Sequence, residues 1–70
     1  MQNIAIQTEY IKLDSFLKLA CVASTGGEGK IMIQQGDVFV NGEICTQRGK
    51  KLRSGDVVKI SGEKDEFVVV

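Results

Sequence analysis

The spacing of hydrophobic positions changes twice along the chain. In "NIAI" (residues 3–6) Ile4 and Ile6 share one face, which predicts a short strand. In "KLDSFLKLACVAS" Leu13, Phe16, Leu17 and Ala20 recur at i, i+3, i+4 and i+7, the stripe of an amphipathic helix. Asp14 falls in the first turn of that helix, where a negative charge suits the dipole, and it stands four residues before Lys18, the spacing of a surface ion pair. Thr25 and Glu28 have capping-box spacing and open a second helix that runs to about Gln35. Gly29, Met32 and Ile33 form its inward stripe, and Lys30 and Gln34 share its outward face. Gly36 is placed to end it in a left-handed conformation.

From Asp37 the period becomes two. "DVFVNGEIC" alternates around Asn41-Gly42, a pair that accepts positive φ at both turn positions and so predicts a hairpin. "TQRGKKLRSGD" reads as a charged, glycine-bearing loop. "VVKI" is a strand with Val58 and Ile60 on one face, "SGEKDE" is a turn, and "FVVV" is a strand pairing back on "VVKI". No repeat or low-complexity stretch interrupts this order. Strand, two helices, then mostly strands is an α+β arrangement, and residues 1–70 are expected to form one domain.

The stretch "STGGEGK" (residues 24–30) resembles a phosphate cradle at first sight, and counting rejects one. A Walker-type loop needs glycine at position 24 and a hydroxyl after the lysine; Ser24 and Ile31 stand there, and the stretch follows a helix instead of a buried strand. The spacing also fails G-x-G-x-x-G, and no βαβ unit surrounds it. Two compatible readings remain. Gly29 lets two helices approach closely, while Gly26 and Gly27 shape the corner between them. A helix start also leaves backbone N–H groups that attract a phosphate oxygen, with Lys30 one turn in and Glu28 opposing it.

Composition narrows the classes. Seventy residues leave little room for a deep pocket, and 43% hydrophobic content argues for a folded chain. Nine basic and nine acidic residues cancel, so net charge favours no nucleic-acid partner. Cys21 and Cys45 without any histidine cannot close an ordinary zinc site, and each reads as a small core residue kept reduced. No signal peptide is visible and no apolar run approaches ~18 residues, so the cytoplasm is the expected compartment and no membrane partner is expected. No nucleophile–base pair stands out, so catalysis, cofactors, metals and small-molecule substrates are not expected.

Local clustering changes the picture. Arg48, Lys50, Lys51 and Arg53 fall within six residues, with no acid between Glu43 and Asp56, while Glu9, Glu63, Asp65 and Glu66 lie elsewhere in the sequence. A neutral chain can therefore carry a basic face, although a solvated loop also accounts for the cluster. Lys12-Leu13-Asp14, then Gly36, Val38, Val40, Asn41 and Gly42, then Gly55-Asp56 with Val58 and Ile60 together resemble the RNA-binding domain of the ribosomal protein S-four type, the alpha-L motif. The resemblance covers residues 12–60 and is closest to the small stand-alone bacterial members, YaaA-like and YbcJ-like. It implies a two-helix alpha-L corner packed on a small, mostly antiparallel β-sheet. The family's Ser-Arg falls on Thr25-Gly26, so the cap is kept and an RNA-contacting arginine is missing; its small alanine falls on Gly29, and Lys30 matches a position often basic.

What the resemblance implies is a non-enzymatic module for structured RNA, ribosomal RNA or a ribosomal subunit, with a role in ribosome assembly. Lys12, Thr25, Gly26, Lys30, Gln34, Arg48, Lys50, Lys51 and Arg53 are the expected contact residues. Recognition would run through shape and the sugar-phosphate backbone. The four aromatics, Tyr10, Phe16, Phe39 and Phe67, form no evident stacking ladder, which disfavours single-strand binding by successive bases. The rival reading is a small protein-interaction adaptor that binds no nucleic acid.

Overall fold

The computed structural model describes residues 1–70, and its elements change where the hydrophobic period changes. Strand β1 (Gln2–Ile4) and a two-residue strand β2 (Ile11–Lys12) precede helices α1 (Leu13–Leu19) and α2 (Gly26–Gln34). The hairpin β3 (Val38–Val40) and β4 (Glu43–Ile44) follows, then β5 (Lys51–Leu52), β6 (Val57–Ile60) and β7 (Glu66–Val69). Five strands form one sheet in the order β1-β7-β6-β3-β4, and β2 with β5 makes a separate antiparallel ladder. Within the large sheet every pair is antiparallel except β1 with β7. The fold is the expected α+β one.

Both helices end in the same way, with different residues. After α1, the Cys21 N–H reaches the Lys18 carbonyl and the Val22 N–H reaches the Leu17 carbonyl; after α2, Gly36 and Asp37 repeat this toward Ile33 and Met32. Each is the paired closure of a Schellman motif, which requires a left-handed residue just past the helix. Gly36 supplies it at φ 80° without strain, whereas Cys21 supplies it at φ 61° with a side chain. The first helix is therefore shorter than its apolar stripe suggests, and Ala20 lies at its cap, half-buried. Cys21 is exposed, contrary to the expectation of a core thiol; Cys45 is half-buried against the core.

At the start of α2, Thr25 Oγ1 accepts from the Glu28 N–H at 3.1 Å, while the Glu28 side chain makes no return bond, so half of the expected capping box forms. Gly29 is buried against α1: a Cβ there would sit 3.5 Å from the Asp14 carbonyl oxygen and 3.7 Å from Leu17. The expected Asp14–Lys18 ion pair does not form; the Asp14 carboxylate accepts from the Ser15 N–H at 2.7 Å.

Leu13, Phe16 and Leu17 of α1, Ala23 and Ile33 pack with the inner residues of the sheet, Val38, Val40, Val58, Ile60, Phe67 and Val69, in one cluster. Leu52 joins it with no exposed surface. This corrects the reading of residues 46–56 as a loop throughout. A two-residue strand lies inside that stretch, anchored by one buried leucine between exposed cations.

Candidate nucleic-acid interface

The β2–β5 ladder pairs Ile11 with Leu52 and Lys12 with Lys51. Because strand side chains alternate, Ile11 and Leu52 face the core while Lys12 and Lys51 face solvent. Tyr10 and Arg53 flank the ladder and lie on the same solvent side. The Lys51 ammonium sits 4.8 Å from the Tyr10 ring centroid and the Arg53 guanidinium 5.7 Å. Arg53 also reaches Glu9 at 3.5 Å. Glu9 is thus inside the basic face, not at a distance from it as its sequence position suggested, and it reduces the local excess of positive charge.

Lys12 and Lys51 oppose each other directly, an arrangement that disfavours folding. The ladder holds because its other pair is apolar and because the loop beyond it grips α1. The Leu13 N–H donates to the Lys50 carbonyl at 2.9 Å and the Asp14 N–H to the Arg48 carbonyl at 3.1 Å. These are two of the orphan donors of the helix start, so the basic loop caps α1 with its backbone. The side chains of Arg48 and Lys50 stay exposed. Since those N–H groups are already bonded, they are closed to an anion; attraction here comes from side-chain charge.

The far end of β5 is fixed by a carboxylate. Asp56 accepts from the Arg53 N–H at 2.8 Å and from the Asn41 amide at 3.1 Å, and the Asn41 side-chain oxygen accepts from the Val57 N–H at 2.9 Å. The Arg53 N–H holds the Asp56 carboxyl below its usual range; partial burial opposes this, and the Asn41 amide with the charges of Lys50 and Arg53 adds to it. Asn41 and Gly42 turn the β3–β4 hairpin at φ 52° and 86°. The Asn-Gly and Gly-Asp signatures therefore meet in one hydrogen-bonded knot that sets the position of Arg53.

Lys12, Lys51 and Arg53 come together on the ladder, and Arg48 and Lys50 adjoin it through the cap of α1. Thr25 caps α2, and Gly26, Lys30 and Gln34 lie along it; α2 packs on α1, with Gly29 against the Asp14 carbonyl in its first turn. No side-chain hydrogen bond or ion pair joins the two groups. The Thr25 hydroxyl is occupied as a helix cap. Gly26 is exposed, and a Cβ there would meet nothing within 4 Å, so the space for the family's arginine is open. Lys30 is half-buried and Gln34 exposed. Tyr10 was not among the expected contacts; the out-in-out alternation of Tyr10-Ile11-Lys12 sets it beside Lys51 and Arg53 only once β2 is paired with β5.

No helix is long and apolar enough to cross a membrane. Over 59 residues the chain is 49% identical to a protein of Bacillus subtilis (strain 168) described as a probable ribosome maturation protein, RlbA; the match spans 84% of this chain and 83% of that one. Residues 4–70 match the S4 domain. The two-helix corner, the basic ladder beside it and this match over nearly the whole length agree: the chain belongs to the S4 domain family.

Proposed function

We propose that the protein binds structured RNA, specifically ribosomal RNA in a maturing subunit, and acts there without catalysis, in the cytoplasm. The observation that carries this reading is the β2–β5 ladder, which gathers Lys12, Lys51 and Arg53 on one exposed face in a chain of zero net charge. Keeping like charges opposed works against folding, so a ligand that neutralises them gives the arrangement a purpose. Arg48 and Lys50 extend the face around the start of α1, and Thr25, Gly26, Lys30 and Gln34 extend it along α2. A sugar-phosphate backbone fits such a shallow, charged surface. The ribosome-maturation description of the Bacillus protein supports the choice of ribosomal RNA.

The test compares binding to ribosomal subunits and to their naked RNA for three proteins. Charge reversal at Lys50 and Lys51 is expected to weaken binding to both. Reversal at the exposed acids Glu63 and Asp65 is expected to leave it intact. Equal affinity for the parent and the Lys50/Lys51 variant would remove the loop from the interface. Absence of any RNA binding by the parent would favour the protein-adaptor reading.

A further inference from the structure

We propose that Tyr10 is a stacking platform for one unpaired nucleotide of the bound RNA. This inference rests on the RNA-binding reading and adds the class of RNA element recognised. Tyr10 is 37% exposed and lies outside the hydrophobic cluster, so the core does not account for it. Its ring has Lys51 at 4.8 Å and Arg53 at 5.7 Å, with Lys12 on the same side of the ladder. The segment before it carries one short bond, Thr8 Oγ1 donating to the Tyr10 carbonyl at 2.7 Å, and the exposed Glu9 carboxylate lies 3.5 Å from Arg53.

This grouping places an aromatic ring and phosphate-binding cations within one nucleotide's reach. The Lys51 ammonium and the Arg53 guanidinium lie over the ring, so a base that stacks there takes the place of one of them as that cation turns to a phosphate. A base inside an A-form duplex has both faces covered by its neighbours and cannot use the ring. A nucleotide splayed from a loop, bulge or strand end can place its base on Tyr10, or on the adjoining guanidinium plane, while its phosphate meets Lys51 or Lys12. A single platform also fits the absence of a stacking ladder: Phe16 and Phe67 are buried in the core and Phe39 is half-buried. The result is a site for one unpaired base beside a structured element, not a track for single strands.

Tyr10 is the only tyrosine and the chain has no tryptophan, so tyrosine emission reports this ring alone. The probes are a short stem–loop RNA with unpaired loop nucleotides and the same stem as a blunt duplex, both end-labelled for anisotropy. Low salt is used, because phosphate-driven binding is then strong and independent of sequence. The expected result is that both RNAs bind by anisotropy and only the stem–loop quenches Tyr10 emission, in step with binding. Tyr10→Ala is expected to weaken stem–loop binding by about 5- to 150-fold and duplex binding hardly at all, with Tyr10→Phe close to the parent. Stem–loop binding with unchanged emission overturns the proposal and leaves the RNA reading standing. An equal loss for both RNAs in Tyr10→Ala also overturns it, since the ring would then only position Lys51 and Arg53. Failure of the parent to bind either RNA removes both readings together.

Discussion

Cys21 and Asp56 show how single residues set the local geometry. Cys21 occupies a left-handed position that an L side chain enters at a cost of about 1–2 kcal/mol, and Gly36 fills the equivalent place after α2 without it. Glycine gives back part of the gain through its freer unfolded state. Cys21→Gly is therefore expected to stabilise the fold by about 0.5–1 kcal/mol, read as a higher denaturant midpoint. That position was hidden in the sequence, because an apolar-looking residue in phase with a helical stripe gives no sign that the helix has already ended. Asp56 behaves differently. Its carboxyl is held below the ordinary value, chiefly by the Arg53 N–H, so its contribution to stability is complete above the unfolded-state pKa of about 3.9 and is lost as pH falls through the lower folded value. Asp56→Asn keeps an oxygen for one donor and turns an amide toward Asn41, at an expected cost of about 1 kcal/mol at neutral pH. Unfolding both proteins at several pH values should show the gap closing below about pH 4; a gap that persisted in acid would place the stabilisation elsewhere.

Among the elements, the β2–β5 ladder carries the conflict between folding and the proposed function. Lys12 opposes Lys51 and stands at the start of α1, where a positive charge meets the positive end of the helix dipole. Lys12→Glu reverses both unfavourable terms. It is expected to raise stability by about 0.5–1.5 kcal/mol and to weaken RNA binding, measured by denaturation and anisotropy on the same preparations. Unchanged affinity would show that Lys12 lies off the RNA. The ladder was also the element least legible in the sequence. The helices, the Asn41-Gly42 hairpin and the β6–β7 pair are encoded by local period, caps and turn residues. Strand β5 has two residues inside a glycine-bearing charged stretch, and its partner β2 lies about forty positions away. Local pattern therefore located the cations by their density. It could not show that Tyr10 and Glu9 stand among them, because only the long-range pairing brings them there.

For the whole molecule, the proposed binding of a polyanion has to be reconciled with zero net charge. The charges are distributed unequally: Glu63, Asp65 and Glu66 gather at the β6–β7 turn, and Glu9 is the one acid paired to a cation of the basic face. The long-range field is weak, and attraction rises only at close approach. If about four phosphates are neutralised, the logarithm of affinity should fall with the logarithm of salt at a slope of about −3 to −3.5, despite the absence of net charge. The Lys50/Lys51 reversal should flatten that slope, whereas a slope near zero in the parent would assign binding to non-ionic contacts. The parallel pairing of β1 with β7 bears on a different process, synthesis of the chain. Residues 2–4 are made well before residues 67–69, the strand with which they pair. During translation Ile4 and Ile6 must wait with their apolar faces uncovered while the helices and the β3–β4 hairpin have all their own residues in hand. Completion of the sheet thus waits for β7, and a polypeptide interrupted before it would display an unpaired β6 flank to whatever chaperone or neighbouring chain is near.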